Sequence, residues 1–356
     1  MSLEALLLLA LKGALVAAVP LAYVRYSSDA DKFRKLAWVT AFLTLDLIMF
    51  GSFTRLTDSG LGCPDWPGCY GHSNPLSASE PIRAAQTALP SGPVTVTKAW
   101  IEMLHRYFAM GVGLLIIILA VQAWVRWRRE GGRSPWLATA ALAWVIGQGA
   151  FGALTVTMKL QPAIVTLHLL GGIGLLALLT WLALREGDWV QVRAPAGVKR
   201  VAVAALVVVL VQVALGGWVS TNYAVMACPD FPLCQGQLVP PMDFTHAFTP
   251  WRPLGMTSAG DAIPFQSLVA IHWTHRLAAV VVILVLGLLV WRLWTAPGLR
   301  VPARALLGLL LLQVATGMSN VVLQWPLVLA VAHSGGAALM VALLVVVIYR
   351  LARGGR

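Results

Sequence analysis

The stretch GCPDWPGC at residues 62–69 recurs as ACPDFPLC at residues 227–234, and these two stretches contain all four cysteines of the chain. Cys63 and Cys228 are 165 positions apart. The same offset separates further pairs of identical residues, among them His168 and His333, Gly51 and Gly216, Gln148 and Gln313, Gly152 and Gly317, and Gly171 and Gly336. The sequence therefore predicts an internal repeat.

The composition is that of a membrane protein. Of the 356 residues, 59% are hydrophobic and 11% are charged, whereas soluble domains contain about 25% charged residues. Crossing the hydrocarbon core takes roughly 20 apolar residues in a helix that satisfies its own backbone hydrogen bonds. Nine stretches qualify, at about 4–24, 36–54, 100–125, 136–158, 162–184, 201–220, 267–291, 302–323 and 327–349. We expect an all-α integral membrane protein with about nine spans.

The chain has a net charge of +12, and the placement of its basic residues decides what this charge means. It excludes nucleic acid as the partner and indicates membrane lipid. Of the 26 Lys and Arg residues, 18 lie in alternate connections, at 25–35, 126–135, 185–200, 292–304 and 350–356. Cytoplasmic loops carry such an excess of basic residues. The long segments 55–99 and 221–266 hold four basic residues between them and are expected to face outward. Because nine is an odd number of spans, we expect the N-terminus outside and the C-terminus in the cytoplasm.

Each half of the repeat contains four spans, an even number, so both halves insert in the same orientation as a parallel repeat. Lys12 lies inside the first span, where the sequence gives it no role. The predicted parts are an extra N-terminal transmembrane helix with a basic cytoplasmic loop (1–35), an N-terminal four-helix bundle (36–184), a cytoplasmic linker (185–200) and a C-terminal four-helix bundle (201–350).

The cysteines lie early in the outward-facing segments, where oxidising conditions allow disulfides. Two prolines bend the chain within each stretch, so the pairs Cys63–Cys69 and Cys228–Cys234 are favoured over pairing across the repeat. A structural staple and a labile, redox-active disulfide both stay open as roles. A metal site is less favoured, because CxxxxxC lacks the usual spacing of zinc ligands.

Four histidines lie inside predicted spans, in one layer near the outer face: His105, His168, His275 and His333. A single histidine on an apolar helix is usually a hydrogen-bonded packing residue, but ionisable groups inside spans are costly and typically mark function. Two symmetric pairs at one depth therefore favour the ligand interpretation. Neutral imidazoles on separate helices with Gly-rich surroundings suit a haem held in a helical bundle.

An arginine follows the first histidine of each pair, in His105-Arg106 and His275-Arg276. Near the outer interface a guanidinium can form a forked hydrogen bond with a haem propionate, and we predict that role for both arginines. The alternative is that their side chains extend to lipid headgroups.

The two halves differ three residues before these histidines. IEMLHR contains Glu102, whereas IHWTHR contains His272. Residues three apart share a helix face, so Glu102 is expected to point toward whatever His105 binds. A carboxyl group beside a haem edge can move protons or stabilise developing positive charge. An ion pair with Arg106 is the alternative.

In these residues the chain resembles the haem A synthase family in its proteobacterial form. The motifs are Glu-x-x-His-Arg in the first half, His-Arg in the second, a late histidine in each half, and TRLTDSGLGCPDWPGCYG at residues 54–71. The resemblance covers about residues 36–350, and the extra N-terminal helix departs from the simpler family pattern. It implies two fused four-helix bundles in the bacterial inner membrane, with haem sites near the periplasmic face.

The resemblance also implies an oxidoreductase that oxidises the C8 methyl group of haem O to the formyl group of haem A, which terminal oxidases use. Glu102 would be the catalytic carboxylate. The residues that would bind the substrate haem are His105, His168 and Arg106, and those that would hold a haem b cofactor are His275, His333 and Arg276. Oxygen or water would supply the new oxygen atom, and the oxidation itself would take place at the haem iron. Haem O synthase and an unidentified electron donor are implied partners, and a homo-oligomer stays open.

Other classes explain fewer of these features. A membrane disulfide oxidoreductase working with quinone accounts for the cysteines but leaves four histidines idle. A b-type cytochrome that shuttles electrons between two permanent haems accounts for the histidines but gives Glu102 no task. A transporter with parallel repeats would be expected to show helices broken at mid-membrane, and the sequence has no paired Gly/Pro interruptions there.

Overall fold

The structure, a computed structural model, describes residues 2–189, 192, 194, 197–296 and 298–352. Within them the chain forms helices and no named β-strand. The α-helices are α1 (Leu3–Tyr26), α2 (Lys32–Leu56), α3 (Ser79–Ala88), α4 (Val96–Glu130), α5 (Trp136–Thr157), α6 (Pro162–Arg185), α7 (Val198–Thr221), α8 (Phe244–Ala247), α9 (Phe265–Trp294), α10 (Arg300–Val322) and α11 (Leu327–Ala352). Parts of the predicted linker and of the basic C-terminal tail lie outside the described residues.

Nine of the helices in this described part of the chain are long and apolar enough to cross a membrane, and they are all of those above except α3 and α8. The prediction of an all-α, multi-pass membrane protein with nine spans is therefore confirmed. The parallel arrangement of the two repeats stays a prediction.

The largest difference in span ends concerns α4, which has 35 residues where about 100–125 was expected. At 1.5 Å per residue a helix of this length measures about 52 Å, well beyond the ~30 Å hydrocarbon core. Its last turn contains Arg128 and Arg129. Cations at a helix C-terminus are favoured by the helix dipole, so the helix continues where the hydropathy ends.

The helices divide into two compact units, one formed by Met1–Leu160 with Gly174–Gly187 and the other by Gln161–Ile173 with Asp188–Arg356. The division runs through α6, whose first half belongs to the second unit. The predicted bundle boundaries at 184 and 201 stay predictions.

In the first unit α4 packs against α1, α2, α3 and α5. Glycines bring α1 and α4 close together. A Cβ atom on Gly13 would lie 2.8 Å from Met110 Cβ, and one on Gly111 would lie 2.6 Å from Val16 Cγ1. Small residues at such contacts are typical of membrane helix pairs, because they let the backbones approach. The extra helix α1 is therefore closely packed.

Lys12, which the sequence left without a role, ties α1 to the connection between α2 and α4. Its Nζ donates a hydrogen bond of 2.9 Å to Ser73 Oγ and lies 5.7 Å from the centre of the Tyr107 ring. Tyr107 in turn donates from its hydroxyl to the Ser73 carbonyl oxygen at 2.7 Å. The charge of Lys12 thus has polar and aromatic neighbours within the protein.

In the second unit α7 packs against α9 and α11, and α10 packs against the same two helices. Leucines on one side of α9, such as Leu286, Leu289 and Leu293, are buried. Since lipid tails are as apolar as leucine, close packing holds such helices together.

Each unit carries one of the two cysteine stretches in a long connection. We call residues 62–72 the first cysteine loop and residues 227–237 the second cysteine loop. The short helix α3, too short to stand out as a span, places its buried Ile82 in one apolar cluster with Cys63, Cys69 and Met103.

Candidate functional site

The first cysteine loop is closed by a disulfide between Cys63 and Cys69. Asp65 folds the chain between them. Its Oδ1 accepts a hydrogen bond from the Tyr70 N–H at 2.5 Å, and its Oδ2 accepts one from the Gly71 N–H at 2.7 Å. The carboxylate thereby satisfies two backbone donors of a tight turn, as aspartates in turns commonly do.

The second cysteine loop repeats this construction. A disulfide joins Cys228 to Cys234, and Asp230 accepts hydrogen bonds from the Gln235 and Gly236 N–H groups, both at 2.8 Å. Both loops thus contain the local pairing that the sequence predicts.

The sulfur atoms lie inside the protein. All four half-cystines are at most 1% exposed. Thiol–disulfide exchange needs a thiolate to reach a sulfur atom, so a reductant would first have to open the loop. Burial favours the structural staple over a labile redox pair.

Arg106 clamps the first loop from α4. Its Nη1 donates to the carbonyl oxygens of Asp65 at 2.9 Å and Pro67 at 3.3 Å, and also to that of Gly68. Its Nη2 donates to Glu102 Oε1 at 2.5 Å. Buried carbonyl groups that a helix or sheet does not pair need such donors. The guanidinium therefore organises the loop, and its predicted contact with a propionate stays a prediction.

Arg276 clamps the second loop from α9 in the same way. Its Nη1 donates to the carbonyl oxygens of Asp230 and Leu233, both at 2.8 Å, and its Nη2 to that of Cys228 at 2.7 Å. Its Nε donates to His272 Nε2 at 3.2 Å. The arginine clamp is thus common to both units, and its partner on the helix differs.

Glu102 is buried, with 4% of its surface exposed. Its Oε1 pairs with Arg106, and its Oε2 accepts a hydrogen bond from the Cys63 N–H at 2.7 Å. The carboxylate thus forms the ion pair with Arg106 that was the alternative prediction from the sequence. The predicted catalytic role is a separate property and stays a prediction.

The first loop also lies closer to its helix than a larger residue would allow. A Cβ atom on Gly62 would lie 2.6 Å from the Ala99 backbone nitrogen of α4, a distance that real Cβ contacts do not reach. The matching position in the second loop is Ala227. Glycine at position 62 therefore permits the close approach in which the Cys63 N–H reaches Glu102.

Three of the four predicted histidine ligands lie against glycines of neighbouring helices. A Cβ atom on Gly51 would lie 3.1 Å from His105 Cε1, one on Gly216 3.0 Å from His275 Cε1, and one on Gly317 3.2 Å from His333 Cε1. A larger residue would push each ring aside. The glycines of the repeat thus fix the space in which these imidazoles sit.

His333 lies beside a hydroxyl group of the neighbouring helix α10. Its Nδ1 lies 2.9 Å from Thr316 Oγ1, and that hydroxyl has one proton, which it donates to the Leu312 carbonyl oxygen at 2.7 Å. With its proton donated to Leu312, the hydroxyl can accept from an Nδ1–H of His333. That tautomer would leave the lone pair on Nε2, as an iron ligand requires.

His275 lies beside Gln212 of α7. The Gln212 side-chain nitrogen is 3.2 Å from His275 Nδ1 and 3.2 Å from the His275 carbonyl oxygen. The imidazoles of His275 and His333 are also close enough to interact electrostatically. Both belong to the second unit, and their joint role as ligands of one haem stays a prediction.

His168 lies on the part of α6 that belongs to the second unit, and His105 lies on α4 in the first. The His168 Nδ1 is buried and has no hydrogen-bond partner among the described residues. A buried nitrogen without a partner is costly unless something binds it. An iron ligand would remove that cost.

These features fit a haem with two axial imidazoles. A glycine makes room for each ring of the C-terminal pair, and the Nδ1 of one ring has a hydroxyl group beside it. In the described residues no group of three or more His, Cys, Asp or Glu side chains converges as a metal site. Haem iron needs two protein ligands, so this finding does not bear on a haem.

Thr316 and Gln212 were missed from the sequence as functional neighbours. Gln212 stands in the apolar run VVVLVQVALGG, and a lone amide in such a run is a detectable signal. Thr316 gave none, because threonine is common in membrane helices and usually bonds its own backbone.

Two acids outside the membrane-spanning helices stay ionised at neutral pH. The backbone N–H groups of Gly236 and Gln235 hold the pKa of Asp230 below its usual range. Hydrogen bonds from Ser267 and His246 lower the pKa of Asp243 as well. The carboxylate of Asp230 is thus bound in its charged form to the loop that it shapes.

Fold and site together define a polytopic α-helical membrane protein with two disulfide-closed loops, each clamped to a histidine-bearing helix. The family model described as cytochrome oxidase assembly protein, COX15-CtaA, matches residues 34–345. The chain belongs to this family. The matched region begins after α1.

Several relatives resemble the chain over most of its length, and each bears the name heme A synthase. The protein of Shewanella oneidensis is 39% identical over 323 residues, which cover 89% of this chain and 97% of the relative. That of Methylobacterium radiotolerans is 31% identical over 343 residues, 90% of each chain. That of Erythrobacter litoralis is 30% identical over 328 residues, 85% of this chain and 92% of the relative.

Proposed function

We propose that this chain is a haem A synthase, an oxidoreductase that oxidises the C8 methyl group of haem O to the formyl group of haem A. Family membership and the names of the relatives support haem A as the product. The observation that carries the chemistry is the buried carboxylate of Glu102, three residues before His105 on α4, where the second unit has a neutral side chain.

Glu102 is the proposed catalytic carboxylate. Oxidising a methyl group requires that protons be delivered and that charge developing at the reacting carbon be stabilised, and a positioned carboxylate can do both. Its hydrogen bonds to Arg106 and to the Cys63 N–H hold it in one orientation. An acid whose position is fixed before the substrate binds loses little entropy in the reaction.

The second unit is the proposed site of a haem b cofactor, held by His275 and His333. The Thr316 hydroxyl beside His333 Nδ1 and the glycine beside each ring support this assignment. When bound, haem b supplies one-electron transfer. Thr316 orients one ligand and Gln212 lies against the other. Arg276, predicted to bind a propionate, has its described hydrogen bonds with the second cysteine loop and with His272, so its proposed contribution is to position α9.

His105 and His168 are the proposed ligands of the substrate haem O, on the strength of the sequence pattern and of the unpartnered His168 Nδ1. Arg106 is proposed to act on the substrate through the first cysteine loop, whose carbonyl groups it binds. Oxygen or water supplies the oxygen atom. Haem O synthase is the proposed source of the substrate, and the electron donor is a further partner.

The proposed location is the bacterial inner membrane, with the N-terminus outside, the C-terminus in the cytoplasm and the haem sites near the periplasmic face. The basic residues of alternate connections support this orientation. Cysteine-labelling of single-cysteine variants from either side of the membrane would test it.

The function is tested by reconstituting the purified chain in lipid nanodiscs with haem O, oxygen and a chemical reductant, followed by mass spectrometry of the extracted haems. We expect haem b in the purified protein and time-dependent formation of haem A. A protein that contains haem b but leaves haem O unchanged would be an electron-transfer cytochrome. A colourless protein that oxidises thiols would be a disulfide oxidoreductase.

A further inference from the structure

We propose that a cavity between α1, α2 and α4 binds the hydroxyethylfarnesyl chain of haem O, with Asp46 accepting a hydrogen bond from its hydroxyl group. This inference rests on the proposed function. It assigns the extra helix α1 and a mid-membrane acid to substrate selection, a role that the paired histidines do not provide.

The cavity lies within the first unit and has a volume of about 620 Å³. Pockets for small ligands typically measure about 300–1,000 Å³. Its walls come from three helices: α1 contributes Leu15, Ala17 and Pro20 among others, α2 contributes Leu43 and Leu47, and α4 contributes Val112 and Leu115. Such walls suit a long, flexible hydrocarbon chain.

Asp46 is the one charged side chain that lines this cavity among the described residues. It stands near the middle of α2, and no hydrogen bond or ion pair to it occurs within the described part of the chain. A charged or polar group in the hydrocarbon region is costly and usually faces a functional partner. A lipid acyl chain in the cavity would leave the carboxyl group without a partner. A chain with a hydroxyl group would not.

The cavity and His105 share one neighbouring side chain, that of Phe50. Phe50 lines the cavity, and its ring contacts the His105 ring edge-on, with 5.7 Å between ring centres. Phe50 and Asp46 are four residues apart, so they share a face of α2 one turn apart. A haem at His105 would thus have a route from its edge past Phe50 to the carboxyl group of Asp46.

Haem O differs from haem b at one position of the ring, where a hydroxyethylfarnesyl chain replaces a vinyl group. The chain provides an isoprenoid tail, and its hydroxyl group lies next to the ring. A protein with two similar haem sites has to place these two haems differently. The extra helix α1 belongs to the first unit, and the position equivalent to Asp46 in the repeat is Val211.

The tail gains little free energy by leaving lipid for the cavity, because both are apolar. The preference for haem O over haem b therefore comes from the hydrogen bond to Asp46 and from the shape of the cavity. A hydrogen bond of this kind is worth about 1 kcal/mol or slightly more, which corresponds to a preference of about tenfold. The cavity also fixes how the ring is turned, and hence which methyl group faces the reactive groups.

The test uses protein loaded with haem b at its C-terminal site, in nanodiscs, titrated separately with haem O and with additional haem b. We expect wild-type protein to bind haem O about tenfold more tightly than the additional haem b. Leu43→Trp fills the cavity and should abolish this preference by weakening haem O alone. Val208→Trp, at the matching position of α7, is the control and should keep it. Asp46→Leu should also abolish the preference, whereas Asp46→Asn, which keeps an acceptor, should retain most of it.

Unchanged haem O affinity in both Leu43→Trp and Asp46→Leu would overturn the proposal. So would native mass spectrometry that finds an isoprenoid quinone or a phospholipid retained in the cavity when haem O is bound. If wild-type protein converts haem O and these variants do so with unchanged affinity, the cavity assignment alone fails. If wild-type protein neither binds nor converts haem O, the proposed function fails first.

Discussion

The two cysteine loops are held by the same arginine clamp, completed by a carboxylate in the first unit and by an imidazole in the second. Arg106 and Arg276 bind equivalent loop carbonyls at comparable distances. Glu102 accepts from Arg106, and His272 occupies the matching place beside Arg276. The loop geometry is therefore compatible with either side chain, and the fold does not require an acid at position 102.

Glu102 and His272 also differ in the free energy that their burial costs. A buried ion pair requires that both charges leave water, and apolar replacements are often as stable or more stable. A neutral imidazole avoids burying the second charge. The carboxylate of Glu102 is thus a costly choice for a structural role that His272 fills in the second unit, and this supports a chemical task for Glu102.

The largest expected effect separates the two units by their haems. His275→Ala or His333→Ala should remove most of the tightly bound haem b, because each deletes one of the two proposed ligands. His105→Ala should keep it. The haem b content per protein, measured from the absorbance of the pyridine complex, decides this. Loss of haem b in His105→Ala with retention in the other two variants would reverse the assignment of the units.

The next comparison removes the clamps. Arg106→Met leaves the carboxylate of Glu102 buried without its partner, and breaking a buried ion pair in this way costs about 3–5 kcal/mol. Arg276→Met leaves neutral groups unpaired, which costs about 1–3 kcal/mol. Hydrogen exchange of the two loops should therefore show greater loss of protection in the first loop of Arg106→Met than in the second loop of Arg276→Met. Equal losses would mean that the ion pair adds nothing to the clamp.

Glu102→Gln tests the chemistry. The substitution keeps the shape and most hydrogen bonds but cannot ionise, so we expect normal haem b content, retained haem O binding and haem A production lowered by at least about 10²-fold. His272→Gln is the matched control and should lower production by less than about threefold, since it removes no acid. Accumulation of a hydroxylated haem would assign Glu102 to the second oxidation. Wild-type output from Glu102→Gln would reduce it to a structural partner of Arg106.

The smallest effect concerns pH. The pKa of Asp230 is lowered in the folded loop, so its contribution to loop stability is complete above the ordinary pKa of aspartate and is lost as the pH falls through the folded value, below about pH 4. Hydrogen exchange at the Gln235 and Gly236 amides should show reduced protection below this pH. Asp230→Asn should remove the pH dependence. A loop whose protection stays constant down to pH 2 would contradict the role of this carboxylate.

Much of the fold could be predicted because a membrane leaves few choices. Each span must be a helix of about 20 apolar residues, so nine spans were visible in the hydropathy alone. The local disulfides were predictable too, since prolines bring cysteines six positions apart within reach. The ends of α4 were not, because polar residues can extend a helix beyond the hydrocarbon without any change that hydropathy detects.

The sequence proposes which residues belong to the candidate site, but it does not predict which atoms they contact. The repeat singled out the histidines, the glycines and Glu102 by position. It did not show that the Arg106 side chain would bind loop carbonyls, nor that the buried carboxylate would reach the Cys63 N–H. An i, i+3 spacing places two residues on one face of a helix, but the rotamers decide what each side chain touches.

The sequence by itself thus determined the fold class, the nine spans, the internal offset and the set of candidate site residues, because these depend on local composition and on periodicity. Only the tertiary structure decided that α1 docks on α4 and lines a cavity with Asp46, that Thr316 lies beside His333 Nδ1, and that both arginines bind the cysteine loops. Those contacts join residues from separate helices, and the free energy that selects them comes from close packing and paired polar groups, which no single segment contains.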